Sequence, residues 1–181
     1  MNHLAATAND AGTMSRAEAY MRAGEQWLLA DEPAIAVERF EQAIEDGGPT
    51  FTDPRASLAR GWFAIGRRED AQALIRELDD EGAQGKRDPR TCDLIAELLA
   101  EQEDMNGALH WATVGADECR RRGDRAELRL LLSLRYRIRH DLGMPEDDYD
   151  RLLDDLTADG GGGADGPNLR SARPGGSTAD G

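Results

Sequence analysis

Small and large side chains recur along this chain with a period of 35 to 37 residues. Ala36 is followed by Ala71 after 35 residues, and Ala71 is followed by Ala108 after 37 residues. The same two offsets relate Gly24 to Ala59 and Ala96, Trp27 to Trp62 and Leu99, and Phe40 to Ile75 and Ala112. A fixed period of this length is typical of stacked supersecondary units that pack against their neighbours. The pattern therefore favours a repeat architecture over an irregular helical bundle.

Capping and stop signals divide the chain into segments of helical length. Ser15 and Glu18 have the spacing of a capping box, and Asp53 and Asp88 each place an N-cap acceptor before a proline. Further N-cap candidates are Asp104 and Asp124, and glycines that would end helices stand at positions 47, 66, 82, 123 and 143. Alternating β-branched runs, which predict strands, are missing. The chain is predicted to be all-α, with helices at 15–30, 33–46, 53–65, 68–80, 89–102, 105–122, 124–142 and 146–156.

The repeated pair of helices resembles the tetratricopeptide repeat, a helix–turn–helix unit of about 34 residues. The likeness covers residues 17–120 well and residues 124–156 loosely, so we expect the fourth pair to be a divergent or capping hairpin. Small residues at the repeated positions allow close helix crossings, and Trp27, Trp62 and Phe40 are expected to fill the space beside them. The resemblance, which extends to small helical-repeat proteins of GC-rich actinobacteria, implies a right-handed superhelical stack of antiparallel helix pairs.

Composition sets the limits of this helical domain. Residues 157–181 are rich in glycine and contain a single large apolar side chain, so we expect a disordered tail, and we expect residues 1–14 to form a flexible arm. No stretch of about 20 apolar residues is present, and the first residues lack the pattern of a secretory signal. We therefore expect a cytoplasmic protein with a helical domain at residues 15–156.

Charge excludes some classes of partner for the surface as a whole. The chain has 22 Lys and Arg against 36 Asp and Glu, a net charge of -14. Nucleic acids and anionic membranes are polyanions, so neither is expected to bind the whole surface. We expect the partner to be another protein or peptide, rather than a membrane or a small-molecule ligand.

The chain offers little that predicts catalysis. Its histidines, His3, His110 and His140, have no spacing typical of a metal or catalytic site. Cys92 and Cys119 are too few for a disulfide framework and are expected to be buried small residues. We therefore expect no enzyme, no cofactor and no metal site.

The resemblance implies that the first helix of each pair lines a concave groove that holds a peptide or a partner helix. By alignment, the groove positions are Glu18, Met21, Glu25, Leu28, Arg60, Phe63, Asp93 and Glu97. Chaperone-binding members of the family place Lys, Arg and Asn there to hold a terminal carboxylate. This chain places mainly acidic and apolar residues there, so the groove is expected to suit a basic, amphipathic segment. The N-terminal arm or the last helix are alternative occupants.

A cationic segment provides the alternative hypothesis. Residues 120–140 carry a net charge of +6, whereas the rest of the chain carries -20. On a helical wheel Leu130, Leu131, Leu134, Ile138 and Leu142 form one apolar face. The opposite face carries Arg125, Arg129, Arg135, Tyr136 and Arg139, together with Leu132. Its arginines could bind an acidic or phosphate-bearing partner, including nucleic acid, in which case the chain would be a regulatory protein. The same arginines could instead neutralise acidic neighbours within the fold.

Overall fold

A computed structural model describes residues 14–160, and within that range the chain consists of eight α-helices without any β-strand. The helices are α1 (Arg16–Leu29), α2 (Pro33–Asp46), α3 (Pro54–Ala64), α4 (Arg68–Glu81), α5 (Pro89–Glu101), α6 (Met105–Arg122), α7 (Arg125–Asp141) and α8 (Asp148–Gly160). The all-α prediction is confirmed for these residues, and the helix bounds agree to within four residues. Residues 157–160, predicted as the start of the disordered tail, belong to α8, whereas residues 1–13 of the predicted arm and residues 161–181 of the predicted tail lie outside the described residues.

Side-chain acceptors begin the helices where the sequence predicts them. Asp53 accepts a hydrogen bond from the backbone N–H of Arg55, and Asp88 accepts one from the N–H of Thr91. Ser15 accepts the N–H of Glu18 in the same way. The carboxylate of Glu18 does not complete a capping box, because it accepts the N–H of Phe51 at 2.9 Å instead. This bond ties α1 to the loop that precedes α3.

The turns inside the four helix pairs share one backbone geometry. Asp31, Gly66, Glu103 and Gly143 have φ values of 59°, 82°, 63° and 65°. In each turn the N–H of the following residue donates to the carbonyl five residues before it, at 2.8 to 2.9 Å. Glu103 adopts this left-handed conformation although it stands where the second pair has glycine. The recurrence extends the repeat to the fourth pair, at a spacing of 40 residues.

The helix stop at Gly82 differs in conformation from the other glycine stops. Gly82 has φ -62° and continues the chain of α4 into a π-helical turn, Gly82–Lys86. The left-handed glycine that reverses the chain is Gly85, with φ 96°. The Nη2 atom of Arg87 then donates at 2.9 Å to the carbonyl of Asp79, near the end of α4.

Small residues make the helix crossings, as the repeat predicts. The six repeated small positions are all buried: Gly24, Ala36, Ala59, Ala71, Ala96 and Ala108. A Cβ atom on Gly24 would overlap the ring of Phe40, which is itself fully buried. Gly115 allows an equally close approach between α5 and α6, because a Cβ there would lie 2.7 Å from the Cβ of Cys92. Both glycines are therefore required by helix packing.

The indole rings do not all pack as expected. Trp62 is partly buried between the cores of the first and middle helix pairs. Trp27 is 39% exposed, so the prediction that it fills the space beside a crossing is wrong. Trp111, at 4% exposure, is the indole that the core encloses most completely.

Consecutive helices pack against each other along the chain, from α1 to α4 and from α5 to α8. The odd-numbered helices also contact one another in order: α1 with α3, α3 with α5, and α5 with α7. The odd-numbered helices thus form one layer of a helical stack. No helix among residues 14–160 combines the length and apolar character that crossing a membrane requires.

Candidate functional site

The layer of odd-numbered helices carries a groove with two compartments. The larger, which we call the acidic compartment, has a volume of about 700 Å³ and lies between α1, the α2–α3 loop, α5 and α7. The smaller, which we call the apolar compartment, has a volume of about 430 Å³ and lies between the C-terminal halves of α1, α3 and α5. Glu25 lines both compartments, so the two are adjacent.

Carboxylates dominate the acidic compartment. It is lined by five of them, Glu18, Glu25, Asp93, Glu97 and Glu127, against two guanidinium groups, Arg22 and Arg90. Glu18 is used within the fold, because it pairs with Arg22 at 3.3 Å and holds the Phe51 N–H. Within residues 14–160, no ion pair joins Asp93, Glu97 or Glu127 to a basic side chain. These three form a carboxylate cluster, contributed by α5 and α7.

Burial and crowding within the carboxylate cluster are reflected in the pKa of Asp93. Burial, followed by the negative charges of Glu97 and Glu127, raises this pKa to about 6, against a smaller opposite effect of Arg137. Burial also raises the pKa of Glu127, while Arg90 lowers it. The surroundings of Asp93 and Glu127 therefore disfavour the charged forms of these two carboxyl groups. Such perturbed groups in a cleft are typical of functional sites.

Apolar side chains lie among these carboxylates. Leu130 of α7 is 55% exposed and Phe51 of the α2–α3 loop is 64% exposed, and both line the acidic compartment. The guanidinium of Arg90 lies 4.1 Å from the centroid of the Phe51 ring, a cation–π contact that orients both groups. Met21 and Leu94 complete the apolar part of the wall. The compartment can thus contact both charged and apolar parts of a bound segment.

The apolar compartment contains few unpaired charges. Leu28, Leu29 and Phe63 line it, and Leu29 is 81% exposed. Arg60 and Glu101 also line it and pair with each other at 3.5 Å. This pairing leaves the aliphatic and aromatic side chains as the main features available to a ligand.

The structure brings the groove residues predicted from the sequence together. Six of the eight line the acidic or apolar compartment by way of α1 and α5, and Arg60 and Phe63 do so by way of α3. The groove predicted from the sequence does not include α7, which also lines it. Applying the 37-residue offset to Arg90 and Asp93 gives Glu127 and Leu130, the two α7 residues that line the groove. Extending the 37-residue offset into the first turns of α7 would therefore have found them; the turn at Gly143 comes 40 residues after Glu103 because α7 is longer than α5.

The predicted basic face of α7 is wrong in part. Arg135 is only 5% exposed, Arg139 is largely buried, and Leu132 is fully buried, whereas the helical wheel placed all three on the outer face. Leu130, which the wheel assigned to the apolar face, is exposed. The wheel fails because α7 packs against α5, α6 and α8 and so has more than one buried face. The remaining members of the predicted patch, Arg125, Arg129 and Tyr136, are exposed.

Arg135 and Arg139 form ion pairs with the start of α8. Arg135 donates to both carboxylate oxygens of Asp147, at 2.6 and 3.1 Å, and Arg139 approaches Asp147 at 3.2 Å and Asp150 at 3.6 Å. We call the ion-paired group of Arg135, Arg139, Asp147 and Asp150 the α8 latch. The guanidinium of Arg135 also lies 4.3 Å from the centroid of the Tyr149 ring. Hydrogen bonds from Arg135 lower the pKa of Asp147.

The two cysteines are buried in the helix packing, and His110 contacts a carboxylate of a neighbouring helix. Cys92 and Cys119 are fully buried free thiols, and burial raises the pKa of each to about 12. The prediction that they are buried small residues is confirmed. His110 lies 2.9 Å from Asp79 beside a cavity of about 340 Å³ between α4 and α6. Within residues 14–160, no cluster of His, Cys, Asp and Glu has the geometry of a metal site.

Comparisons of the chain with protein-family models, with curated proteins and with solved structures found no match. The likeness to the tetratricopeptide repeat thus stays a prediction from the sequence.

Proposed function

We propose that this protein is a non-catalytic interaction scaffold whose groove binds a basic, amphipathic segment of another protein. The carboxylate cluster of Asp93, Glu97 and Glu127 is the observation that carries the proposal. Like charges held together without a direct ion pair raise the free energy of the unbound state, and a cationic side chain placed among them lowers that cost. Leu130 and Phe51 lie beside the cluster and would contact the apolar part of the segment.

We propose further that the helix pairs form a tetratricopeptide-like, right-handed superhelix with the groove on its concave side. Two observations support this arrangement. The four intra-pair turns repeat one hydrogen-bond pattern, and the odd-numbered helices contact one another in sequence. A regular rotation between such pairs generates a curved layer, and the groove lies on the layer that the odd-numbered helices form.

The alternative function, recognition of an acidic or phosphate-bearing partner through α7, has weaker support. The latch already holds Arg135 and Arg139 through carboxylates of the same chain. Of the predicted patch, the arginines that remain exposed are Arg125 and Arg129. Affinity for phosphate depends on the number of cations that reach it, so the groove is the better-supported site.

Binding of a labelled peptide tests the groove. A fluorescein-labelled peptide that alternates Lys with Leu is expected to bind, with an affinity that falls between about 50 and about 300 mM NaCl because charge pairing is screened. Glu97→Lys combined with Glu127→Lys is expected to weaken binding at least about tenfold, since it reverses two charges of the cluster.

Glu41→Lys provides the matched control, because Glu41 is an exposed carboxylate on α2 outside both compartments. This variant is expected to bind the peptide nearly as well as the wild type. Equal losses in Glu41→Lys and in the groove variant would contradict the proposal. Binding of a peptide that alternates Glu with Leu, weakened by Arg129→Glu, would favour the alternative site on α7.

A further inference from the structure

The acidic and apolar compartments differ in chemistry and follow each other along the same helices. Residues of the first turns of α5, such as Asp93, line the acidic compartment, and residues of its last turn, such as Glu101, line the apolar compartment. On α1 the order is the same, from Glu18 to Leu29. The groove therefore changes from acidic to apolar in one direction along the layer of odd-numbered helices.

The apolar compartment leaves large side chains open to solvent. Among the large apolar residues of the described part of the chain, Leu29 is the most exposed. Phe63 beside it is partly exposed, and the guanidinium of Arg68 lies 5.3 Å from the centroid of its ring. Arg60 and Glu101 pair with each other, so Glu25, which is shared with the acidic compartment, is the one lining charge without an ion pair among residues 14–160, and the compartment offers apolar contact area away from it.

The helical rise gives the length of α5 that spans the two compartments. Asp93 and Glu101 are eight residues apart on α5, which corresponds to about 12 Å along the helix axis. An extended chain covers that distance in about four residues, and a helix covers it in about eight. A segment that fills both compartments thus needs its basic and apolar side chains at a defined separation.

We propose, on the basis of the function proposed above, that the groove selects a two-part segment of a partner protein. Basic side chains of the segment pair with Asp93, Glu97 and Glu127, and one large aliphatic side chain at the other end of the groove packs against Leu28, Leu29 and Phe63. Charge complementarity determines which end of the segment lies in the acidic compartment. The aliphatic anchor adds affinity and distinguishes this segment from other basic sequences.

A peptide series tests the two-part selection. Each labelled peptide carries a Lys-Arg-Lys cluster in a Ser and Gly background, and a single Leu is placed at increasing distances from the cluster. Binding measured by fluorescence anisotropy is expected to improve about tenfold when the Leu reaches the apolar compartment, with a maximum at one separation. The peptide with Ser in place of Leu is expected to bind more weakly, and the peptide with Gln in place of the basic cluster is expected not to bind.

Protein variants assign the two contributions to the two compartments. Leu29→Ser changes a highly exposed side chain and is expected to remove most of the tenfold gain that the Leu-containing peptide shows over the peptide with Ser in its place. Met144→Ser, which alters another exposed apolar side chain outside the groove, serves as the control and is expected to leave the gain intact. Asp93→Asn is expected to weaken both peptides.

The possible failures are distinguishable. If the basic peptide binds the wild type and Leu gives no gain at any separation, the two-part selection is wrong and the proposed function stands. A gain that survives Leu29→Ser would likewise overturn the selection. If no peptide in the series binds the wild type, the proposed function fails together with this inference.

Discussion

Helix α7 takes part in two charge clusters, one at each end: like charges meet in the first, and opposite charges pair in the second. Its first turns bring Glu127 beside Asp93 and Glu97, three carboxylates without an ion-pair partner among residues 14–160. Its last turns bring Arg135 and Arg139 onto Asp147 and Asp150, where each charge meets its opposite. The α8 latch therefore stabilises the fold, whereas the carboxylate cluster adds electrostatic repulsion that the fold has to offset.

The pKa shifts follow the same division. Pairing with Arg135 lowers the pKa of Asp147, so the folded state favours its charged form. Burial among like charges raises the pKa of Asp93, so the folded state disfavours its charged form. Charge that works against folding in a cleft is typical of residues retained for binding. The comparison thus supports a partner for the groove and a structural role for the latch.

Arg135→Met is expected to have the largest effect on stability. Removing the guanidinium leaves Arg139 as the remaining cation for two carboxylates, Asp147 and the buried Asp150. Breaking a buried ion pair in this way costs about 3 kcal/mol. The free energy of unfolding can be measured by urea denaturation, and hydrogen exchange is expected to show loss of protection first in α8. Arg129→Met, an exposed change on the same helix, should lie within about 0.5 kcal/mol of the wild type. Similar losses in both variants would show that the latch does not secure α8.

Asp93→Asn is expected to have a smaller effect of the opposite sign. The pKa of Asp93 is raised from 3.8 to about 6, so wild-type stability falls as the pH rises through that interval and stays lower above it. At neutral pH the amide should stabilise the protein by about 1 kcal/mol, a value reduced for the solvent screening of this partly exposed carboxyl group. The gain should disappear near pH 4, where Asp93 is protonated in the folded state.

Thermal unfolding at several pH values checks this expectation. Asp80→Asn, which changes an exposed carboxylate of α4 outside the groove, is the control and should produce no comparable pH-dependent gain. If Asp93→Asn destabilised the protein at neutral pH, the carboxylate cluster would be part of the fold's support, and the contrast with the latch would be lost.

The salt dependence of the Asp93→Asn effect is the smallest of the three expected changes. Repulsion between Asp93, Glu97 and Glu127 acts partly through solvent, so it weakens as the Debye length shortens. Between about 50 and about 500 mM NaCl, the stability gained by Asp93→Asn should fall by a few tenths of a kcal/mol. The penalty of Arg135→Met should stay nearly constant, because buried pairs are screened less. A salt-independent gain would assign the raised pKa to burial alone.

Much of the fold was predictable because its signals are local. An N-cap such as Asp53 or Asp88 acts on an N–H two or three residues away, and both residues begin their helices as expected. Small residues such as Gly24 and Ala59 identify crossings because only a small side chain fits there. Gly82 follows the last residue of α4 as predicted, but the π-helical turn after it was not predictable, because it is accompanied by a contact from Arg87, five residues onward, to the carbonyl of Asp79.

The groove was predictable in composition but not in shape. The repeat alignment identified Glu25, Asp93 and Glu97, because equivalent positions of stacked units lie on the same side. The acidic compartment is completed by Phe51 of the α2–α3 loop and by Glu127 and Leu130 of α7. These residues come from parts of the chain outside the three helices that the alignment placed in the groove. The spacing of the apolar residues on α7 alone could not reveal this.

The amino-acid sequence by itself determined the eight helices, their pairing and the small residues at their crossings, because hydrogen-bonded caps, turns and side-chain volumes act over a few residues. Tertiary structure decided which arginines are buried and which carboxylates are crowded. Those properties depend on neighbours from three or more helices, since desolvation and pairing of a charge are set by everything packed around it. The same helix, α7, therefore carries a paired cluster at one end and an unpaired cluster at the other.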